Sequence, residues 1–174
     1  MIETHVAPQT VARLADFAGL RHGDRRAVRV KRDDLWEERS YGEVAAAIAR
    51  LACGFIERGI ALGDRVCILA DTRPEWSVAS YALWSARAVV VPIYPSNSPQ
   101  ECGWVIGNCG AVAVIVEDAA QLAKIDAVRD ALPALRMIFI IEPRDAAAGV
   151  LALDDVATAD RDDEMSPSNP KTNR

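Results

Sequence analysis

The 174-residue sequence predicts an α/β protein with an open, doubly wound, mostly parallel sheet preceded by a β-hairpin. Two observations favour this fold class. Four short apolar runs are continuous rather than alternating, which is typical of strands buried on both faces of a parallel sheet. The segments between these runs are long enough for crossover helices and contain helical start and stop signals.

Two elements are predicted ahead of the main sheet. A helix is expected to begin with Thr10 as its cap. Its apolar face would contain Val11, Leu14 and Ala18. The alternating runs 27–31 and 35–41, joined near Asp33-Asp34, predict the β-hairpin, although the turn has neither an Asn-Gly nor an Asp-Gly pair.

The continuous apolar runs predict the four strands of the main sheet. They are residues 66–70, 88–93, 111–116 and 137–141. Pro92 lies inside the second run and cannot donate a hydrogen bond to a neighbouring strand. This proline therefore predicts that its strand lies at an edge of the sheet, contains a bulge or ends there.

The first two crossover helices have clear beginnings. Residues 41–58 carry apolar side chains at spacings of three and four, after a capping-box pattern of Ser40 and Glu43. Gly59 is expected to end this helix in a left-handed conformation. The second helix is predicted to begin at Pro74, because proline is favoured at the first helical position.

The third and fourth crossover helices follow the same logic. Ser98 and Glu101 form a second capping box, and Gly110 is expected to end the third helix. The fourth helix is predicted over residues 119–132, with Pro133 just beyond its end. These assignments place one helix before the first strand of the main sheet and one between each pair of its successive strands.

The carboxyl-terminal part of the sequence has a different character. Residues 150–156 predict the start of one more element and complete a domain of residues 1–156, while residues 157–174 are expected to form an acidic, polar, disordered tail. The acidic residues of this region are Asp154, Asp155, Asp160, Asp162, Asp163 and Glu164. A calcium loop is the alternative, but no glycine occupies the turn position that such a loop requires.

Composition excludes several function classes. Hydrophobic residues make up 51% and charged residues 26%, as in a folded globular domain, and the net charge of -5 argues against a nucleic-acid partner. The first twenty residues lack the pattern of a signal peptide, and no apolar stretch approaches the roughly 20 residues that span a bilayer, so a cytoplasmic location without a transmembrane segment is expected. The cysteines form no CxxC pair and are expected to be buried apolar side chains: Cys53, Cys67, Cys102 and Cys109.

A series of short motifs runs from Trp36 to Glu142. They are Trp36, Ser40-Tyr41-Gly42-Glu43, Gly59, Gly63-Asp64-Arg65-Val66, Thr72-Arg73-Pro74-Glu75-Trp76, Val89-Val90-Val91-Pro92-Ile93-Tyr94-Pro95 and Asn108-Cys109-Gly110-Ala111. In order and spacing they resemble the start of the adenylate-forming, AMP-binding superfamily, in particular bacterial long-chain fatty-acid–CoA ligases. One departure is Arg87-Ala88, where such ligases usually have Gly-Ala. An arginine forced into a left-handed conformation there would cost about 1 kcal/mol, which leaves the local geometry open.

The resemblance implies a two-step reaction with ATP, Mg²⁺ and CoA, in which a fatty acid is converted to acyl-AMP and then to acyl-CoA. The family's phosphate-binding loop, metal-binding glutamate and catalytic lysine have no counterpart in this sequence, so we assign no catalytic, cofactor-binding or metal-binding residue. The glycine cluster 103–110 is predicted to lie within and at the end of a helix, where it cannot hold a phosphate. A truncated or split ligase, inactive alone and without a cofactor of its own, is therefore expected. Its expected partners are the missing remainder as a separate chain, or a second copy.

The best candidates for lining a site follow the predicted strands, since ligands of open α/β sheets bind at the carboxyl ends of strands. These residues are Asp71-Thr72-Arg73, Tyr94-Pro95-Ser96-Asn97 and Glu117-Asp118. Ordinary caps and turns explain them equally well. Two other function classes stay open: a non-catalytic interaction module derived from the ligase family, and a receiver-like domain in which Asp71 and Glu117-Asp118 form an acidic pocket.

Overall fold

The computed structural model describes residues 10–32, 34–143 and 149–157. A short 3₁₀ turn at Val11–Arg13 precedes the first helix, and another lies at Arg129–Ala131. The strands are β1 Arg26–Arg32, β2 Leu35–Ser40, β3 Arg65–Leu69, β4 Val89–Ile93, β5 Ala113–Val116, β6 Met137–Ile140 and β7 Val150–Ala152. The helices are α1 Leu14–His22, α2 Tyr41–Glu57, α3 Pro74–Ser85, α4 Pro99–Cys109, α5 Ala119–Asp126 and α6 Leu153–Val156.

The described strands form two sheets. β1 and β2 pair as an antiparallel hairpin, and the other five strands form a parallel sheet in the order β4-β3-β5-β6-β7. Interior strand β3 pairs on both sides, with Cys67 opposite Val91 of β4 and Val114 of β5. The predicted hairpin and parallel sheet are therefore confirmed, and the element predicted at 150–156 is the short strand β7 followed by α6.

Helices cover both faces of the parallel sheet, which confirms the doubly wound fold class. On one face α2 and α3 enclose a core in which the Phe55 and Phe139 rings meet edge to face, with centroids 5.3 Å apart. Trp76 of α3 packs against this core, as its large apolar ring predicted. On the other face, the buried side chains of α4 and α5 pack against Cys67 and Val114.

Most helix boundaries follow the capping residues. Ser40 and Ser98 both form complete capping boxes, and Gly110 ends α4 with φ of 63° in the left-handed region. Hydrogen bonds from the Ser40 backbone and side chain lower the pKa of Glu43. Thr10 is an exception, because its side chain makes no capping hydrogen bond and the chain enters α1 through a 3₁₀ turn.

The predicted fourth crossover helix is too long. α5 ends at Asp126, and after Val128 the chain forms a separate 3₁₀ turn instead of continuing to residue 132. Leu132 is still buried, so the apolar spacing predicted the burial of this side chain correctly but not the conformation of the backbone that carries it.

Pro92 lies on β4, which is an edge strand of the five-stranded sheet, as the missing N–H predicted. The backbone N–H of Val89 donates to the Asp64 carbonyl oxygen at 2.8 Å, so Val89 directs its backbone polar groups towards β3. Backbone groups alternate along a strand, and Pro92, three residues later, is at a position that faces away from β3.

Arg87 follows α3 with φ of 64°, so this arginine does adopt the left-handed conformation. Replacing Arg87 with glycine is expected to raise the free energy of unfolding by about 0.5 to 1 kcal/mol, because glycine adopts this backbone without a Cβ clash. Urea unfolding followed by circular dichroism would measure the change. Arg87→Ala is the control, since it removes the charged side chain but keeps the strained backbone. An equal gain in both variants would contradict the backbone explanation.

Segment 150–156 is held against α2 by two residues. A Cβ built on Gly54 would lie 1.6 Å from the Val156 carbonyl oxygen, so only glycine permits this approach. The Arg58 guanidinium donates to the carbonyl oxygens of Asp155 at 2.7 Å and Val156 at 3.2 Å. The end of the predicted domain 1–156 is thus packed onto the core, and residues 158–174 of the predicted tail 157–174 lie outside the described residues.

Candidate functional site

The carboxyl ends of three neighbouring strands meet at Arg73. Arg73 follows β3, Glu117 follows β5 and Glu142 follows β6. The Arg73 Nη1 atom lies 2.9 Å from both Glu117 Oε1 and Glu142 Oε1. The other Glu117 oxygen, Oε2, accepts a hydrogen bond of 2.7 Å from the backbone N–H of Asp71. Two of the three predicted strand-end segments are therefore brought together.

The ion-pair network extends to the hairpin. Arg73 Nε donates to Glu75 Oε2 at 2.9 Å, and Arg32 Nη2 of β1 donates to Glu75 Oε1. Arg73 and Glu75 have side chains that are only 13% and 18% exposed. The network therefore fixes the hairpin, the start of α3 and the edge of the sheet relative to one another. We call Arg32, Arg73, Glu75, Glu117 and Glu142 the Arg73 network.

In the Arg73 network, the positive charges of the arginines and the negative charges of the glutamates neutralise one another. Burial opposes ionisation of Arg73, but hydrogen bonds to Glu75, Glu142 and Glu117 outweigh it and raise the pKa of the guanidinium. Burial alone would raise the pKa of Glu75, yet the hydrogen bond and positive charge of Arg73, with the charge of Arg32, lower it. Arg73 is thus a permanently charged cation whose Nε and Nη1 atoms are already bound by carboxylates.

This pKa shift predicts a pH dependence of stability. Because the folded-state pKa of Glu75 is below its ordinary value of 4.5, ionised Glu75 stabilises the fold above that pH, and the stabilisation is lost as the pH falls through the folded-state pKa. The wild type is therefore expected to be more stable than Glu75→Gln at neutral pH, with the difference shrinking below about pH 4.5. Urea unfolding at a series of pH values would measure it. A difference that stays constant or grows in acid would contradict the assignment.

The third predicted segment, 94–97, is not part of this network. Tyr94 is 78% exposed, the Asn97 N–H donates to the Tyr94 carbonyl oxygen in a turn, and the Pro95 carbonyl oxygen accepts from Lys124 Nζ at 2.5 Å. Asp118 caps α5 by accepting from the Gln121 N–H at 2.9 Å. These residues serve as the turns and caps that the sequence allowed as the alternative.

Sequence reasoning missed Arg32, Glu75 and Glu142 as members of the network. Glu75 is part of the family motif after Pro74, but nothing in the local pattern indicates its partner on β1, which is 43 residues away. Glu142 follows an apolar strand, and this was the signal that could have identified it.

A cavity of about 590 Å³ lies beside the network, between the hairpin, α2, α3 and α6. Its charged lining consists of four arginines and four carboxylates: Arg32, Arg39, Arg50, Arg73, Glu37, Glu43, Glu75 and Asp154. Charges of both signs in equal number do not select for the phosphates of a nucleotide, which require a cluster of donors with a positive balance.

Within the described ranges, there is no group of three or more His, Cys, Asp or Glu side chains that could hold a metal ion. The glycine cluster lies in α4, where a Cβ built on Gly103 would lie 3.3 Å from the Val128 side chain, so this glycine serves helix packing, and Gly110 ends the helix. The receiver-like alternative also loses its basis, since Glu117 is bound to Arg73 and Asp118 is a helix cap.

Two comparisons of sequence identify relatives. Residues 16–173 match the family model described as AMP-binding enzyme. The chain is 33% identical over 127 residues to the long-chain-fatty-acid–CoA ligase FadD15 of Mycobacterium bovis, covering 73% of this chain and 20% of that protein. It is 31% identical over 150 residues to the human long-chain-fatty-acid–CoA ligase ACSBG1, covering 85% of this chain and 21% of that protein. The chain thus spans about a fifth of the length of these relatives.

Solved structures share the fold at lower identity. The anthranilate CoA ligase AuaEII in complex with anthranoyl-AMP has a TM-score of 0.76 and 20% identity, covering 84% of this chain and 27% of that one. The coronafacic acid ligase from Pectobacterium brasiliense has a TM-score of 0.73 and 21% identity, covering 85% of this chain and 29% of that one. The family model spans nearly the whole sequence and the motif order agrees with it, so this chain belongs to the AMP-binding enzyme family.

Proposed function

We propose that this chain provides part of the structural scaffold of an AMP-forming long-chain fatty-acid–CoA ligase and does not activate a fatty acid by itself. The observation that carries the proposal is the state of Arg73, the arginine at the carboxyl edge of the sheet, which contacts three carboxylates. Forming acyl-AMP requires preorganised donors around phosphoryl oxygens. An arginine already neutralised in this way does not supply them.

The other groups that the reaction requires would be supplied by additional polypeptide. Family membership supports a reaction in which a carboxylate attacks the α-phosphate of ATP and the CoA thiol then displaces AMP. The donors for ATP, Mg²⁺ and CoA would come from the rest of a ligase, either joined to this sequence or as a separate chain. The role of the present residues is to hold the sheet and its polar edge in place for that assembly.

Binding and exchange measurements test this proposal. The purified chain is expected to show no micromolar affinity for ATP–Mg²⁺ by calorimetry and no fatty-acid-dependent ATP–pyrophosphate exchange. Adding a polypeptide that carries the rest of a long-chain ligase is expected to produce exchange. Micromolar ATP affinity or exchange by the chain alone would contradict inactivity. Absence of exchange in a mixture of two folded partners would contradict the scaffold role.

A non-catalytic interaction module is the second candidate. Large apolar side chains are exposed on and near edge strand β4, where Val89 is 47% exposed and Tyr94 78%, and Trp104 of α4 is 69% exposed. Exposed aromatic side chains are enriched in protein interfaces. Light scattering that detects a dimer, weakened by Trp104→Ala, would favour this function. A monomer at all concentrations, together with exchange in the mixture above, would exclude it.

A further inference from the structure

Two cysteines that are distant in sequence meet beneath α4. Cys67 lies at the centre of β3 and Cys109 at the last position of α4, and their Sγ atoms are 3.9 Å apart. The Arg65 side chain holds this arrangement, because its Nε atom donates to the Cys109 carbonyl oxygen at 2.8 Å and its Nη2 atom to that of Gly110 at 3.1 Å. The end of α4 is thus fixed against the strand that carries Cys67.

We propose that Cys67 and Cys109 form an oxidisable pair that closes to a disulfide under peroxide and locks α4 to β3. To form the bond, rotation of the two side chains would have to shorten the Sγ–Sγ distance from 3.9 Å to about 2.05 Å. The closed form would connect residues 42 apart in sequence, a span that includes α3 and β4. This property is independent of the ligase reaction proposed above.

The two thiols have different roles in the reaction. Cys109 is only partly buried and is therefore the first of the two to meet an oxidant, whereas Cys67 is fully buried and burial raises the pKa of its thiol. The Cys109 sulfur attacks a hydroperoxide oxygen and becomes a sulfenic acid, releasing water or an alcohol. The Cys67 sulfur then forms the S–S bond and displaces the sulfenic hydroxyl, which leaves as water with the Cys67 proton. Two thiols and one hydroperoxide give one disulfide and no other redox partner is needed.

The other two cysteines provide internal controls. Cys53 is exposed on α2, so it reacts with oxidants but would pair only between molecules. This contradicts the expectation that all four cysteines are buried. Cys102 is buried on the same face as Cys67, and its Sγ contacts the Asn97 carbonyl oxygen at 3.9 Å. The proposal therefore assigns the bond to Cys109 rather than Cys102.

Peptide mapping of the oxidised protein tests the proposal. The Cys53→Ser variant is treated with hydrogen peroxide, alkylated and digested with trypsin, and the intact monomer is expected to lose two hydrogen atoms reversibly with dithiothreitol. Trypsin leaves Cys102 and Cys109 on one peptide, 88–124, so variants assign the partner. Adding Cys102→Ala is expected to preserve the link to the peptide of Cys67, and adding Cys109→Ala to abolish it. Circular dichroism checks that both variants are folded.

A second measurement does not depend on variants. Fragmentation of the crosslinked wild-type peptides would locate the bond directly, and the closed form is expected to melt about 5 °C or more above the reduced form, since the crosslink restricts the unfolded chain. A link to Cys102, survival of both thiols under peroxide that oxidises Cys53, or disulfides found only between molecules would overturn the proposal.

Discussion

Replacing Gly54 with alanine is expected to lower the free energy of unfolding by about 3 kcal/mol. The new Cβ would meet the Val156 carbonyl oxygen at 1.6 Å and its carbonyl carbon at 2.6 Å, which are backbone atoms that cannot rotate away. Helix α6 would have to move off α2, and the buried side chains of Leu153 and Val156 would move with it. Urea unfolding measured by circular dichroism gives the change.

The matched control is Gly107→Ala. Gly107 is also helical, but a Cβ there meets only the Leu132 side chain, at an ordinary 3.5 Å. Alanine is favoured over glycine within a helix by roughly 0.5–1 kcal/mol, so this variant is expected to be neutral or more stable. Equal stability changes in the two variants would contradict the steric origin assigned to Gly54.

Replacing Arg73 with methionine is expected to destabilise the protein by about 3 kcal/mol, since removing one partner of a buried ion pair leaves charges uncompensated. The substitution keeps most of the apolar volume but leaves Glu117 and Glu142 without the cation that separates them. We expect the low end of the usual range because Glu142 is 42% exposed and its charge is partly screened by water. Chemical unfolding at pH 7 measures the loss.

Two further variants isolate the electrostatic origin of that loss. Arg26→Met breaks the exposed Arg26–Glu38 pair, whose side chains are 57% and 45% exposed, and is expected to change stability by less than about 1 kcal/mol. Adding Glu117→Gln to Arg73→Met is expected to restore part of the lost stability, because it removes one of the unpaired charges. Failure of this rescue would indicate that Arg73 acts through its packing instead.

The elements that were predictable from the sequence depend on local chemistry. Continuous apolar runs located the strands, and the capping residues Ser40 and Ser98 located two helix starts to the residue. Pro92 indicated an edge strand, because proline has no backbone N–H to donate to a neighbouring strand. The left-handed backbone at Arg87 was suggested only by the glycine that related ligases have there, since arginine does not constrain its own main chain in this way. The path after α5 was not predictable, since burial of Leu132 is compatible with a helix and with a 3₁₀ turn.

The parts of the site that were missed depend on tertiary packing. Arg73 reaches carboxylates 44 and 69 residues away, and no local pattern reports which strand ends become neighbours. The sequence placed Asp71, Arg73 and Glu117 at the correct edge of the sheet but left their pairing undetermined. Cys53 was expected to be buried because its segment is apolar, yet it lies on the exposed side of α2.

The position of Pro92 restricts how this sheet can be extended. A strand that added alongside β4 would need N–H donors directed away from β3, and at Pro92 there is none. A strand that paired with the free edge of β4 would therefore lack one backbone hydrogen bond, the one that Pro92 cannot donate. Any polypeptide that packs beside this strand, including another copy of the chain, is therefore expected to make contact through side chains such as Val89 and Tyr94. Backbone pairing between copies, the interaction that builds fibrils, is disfavoured at this edge.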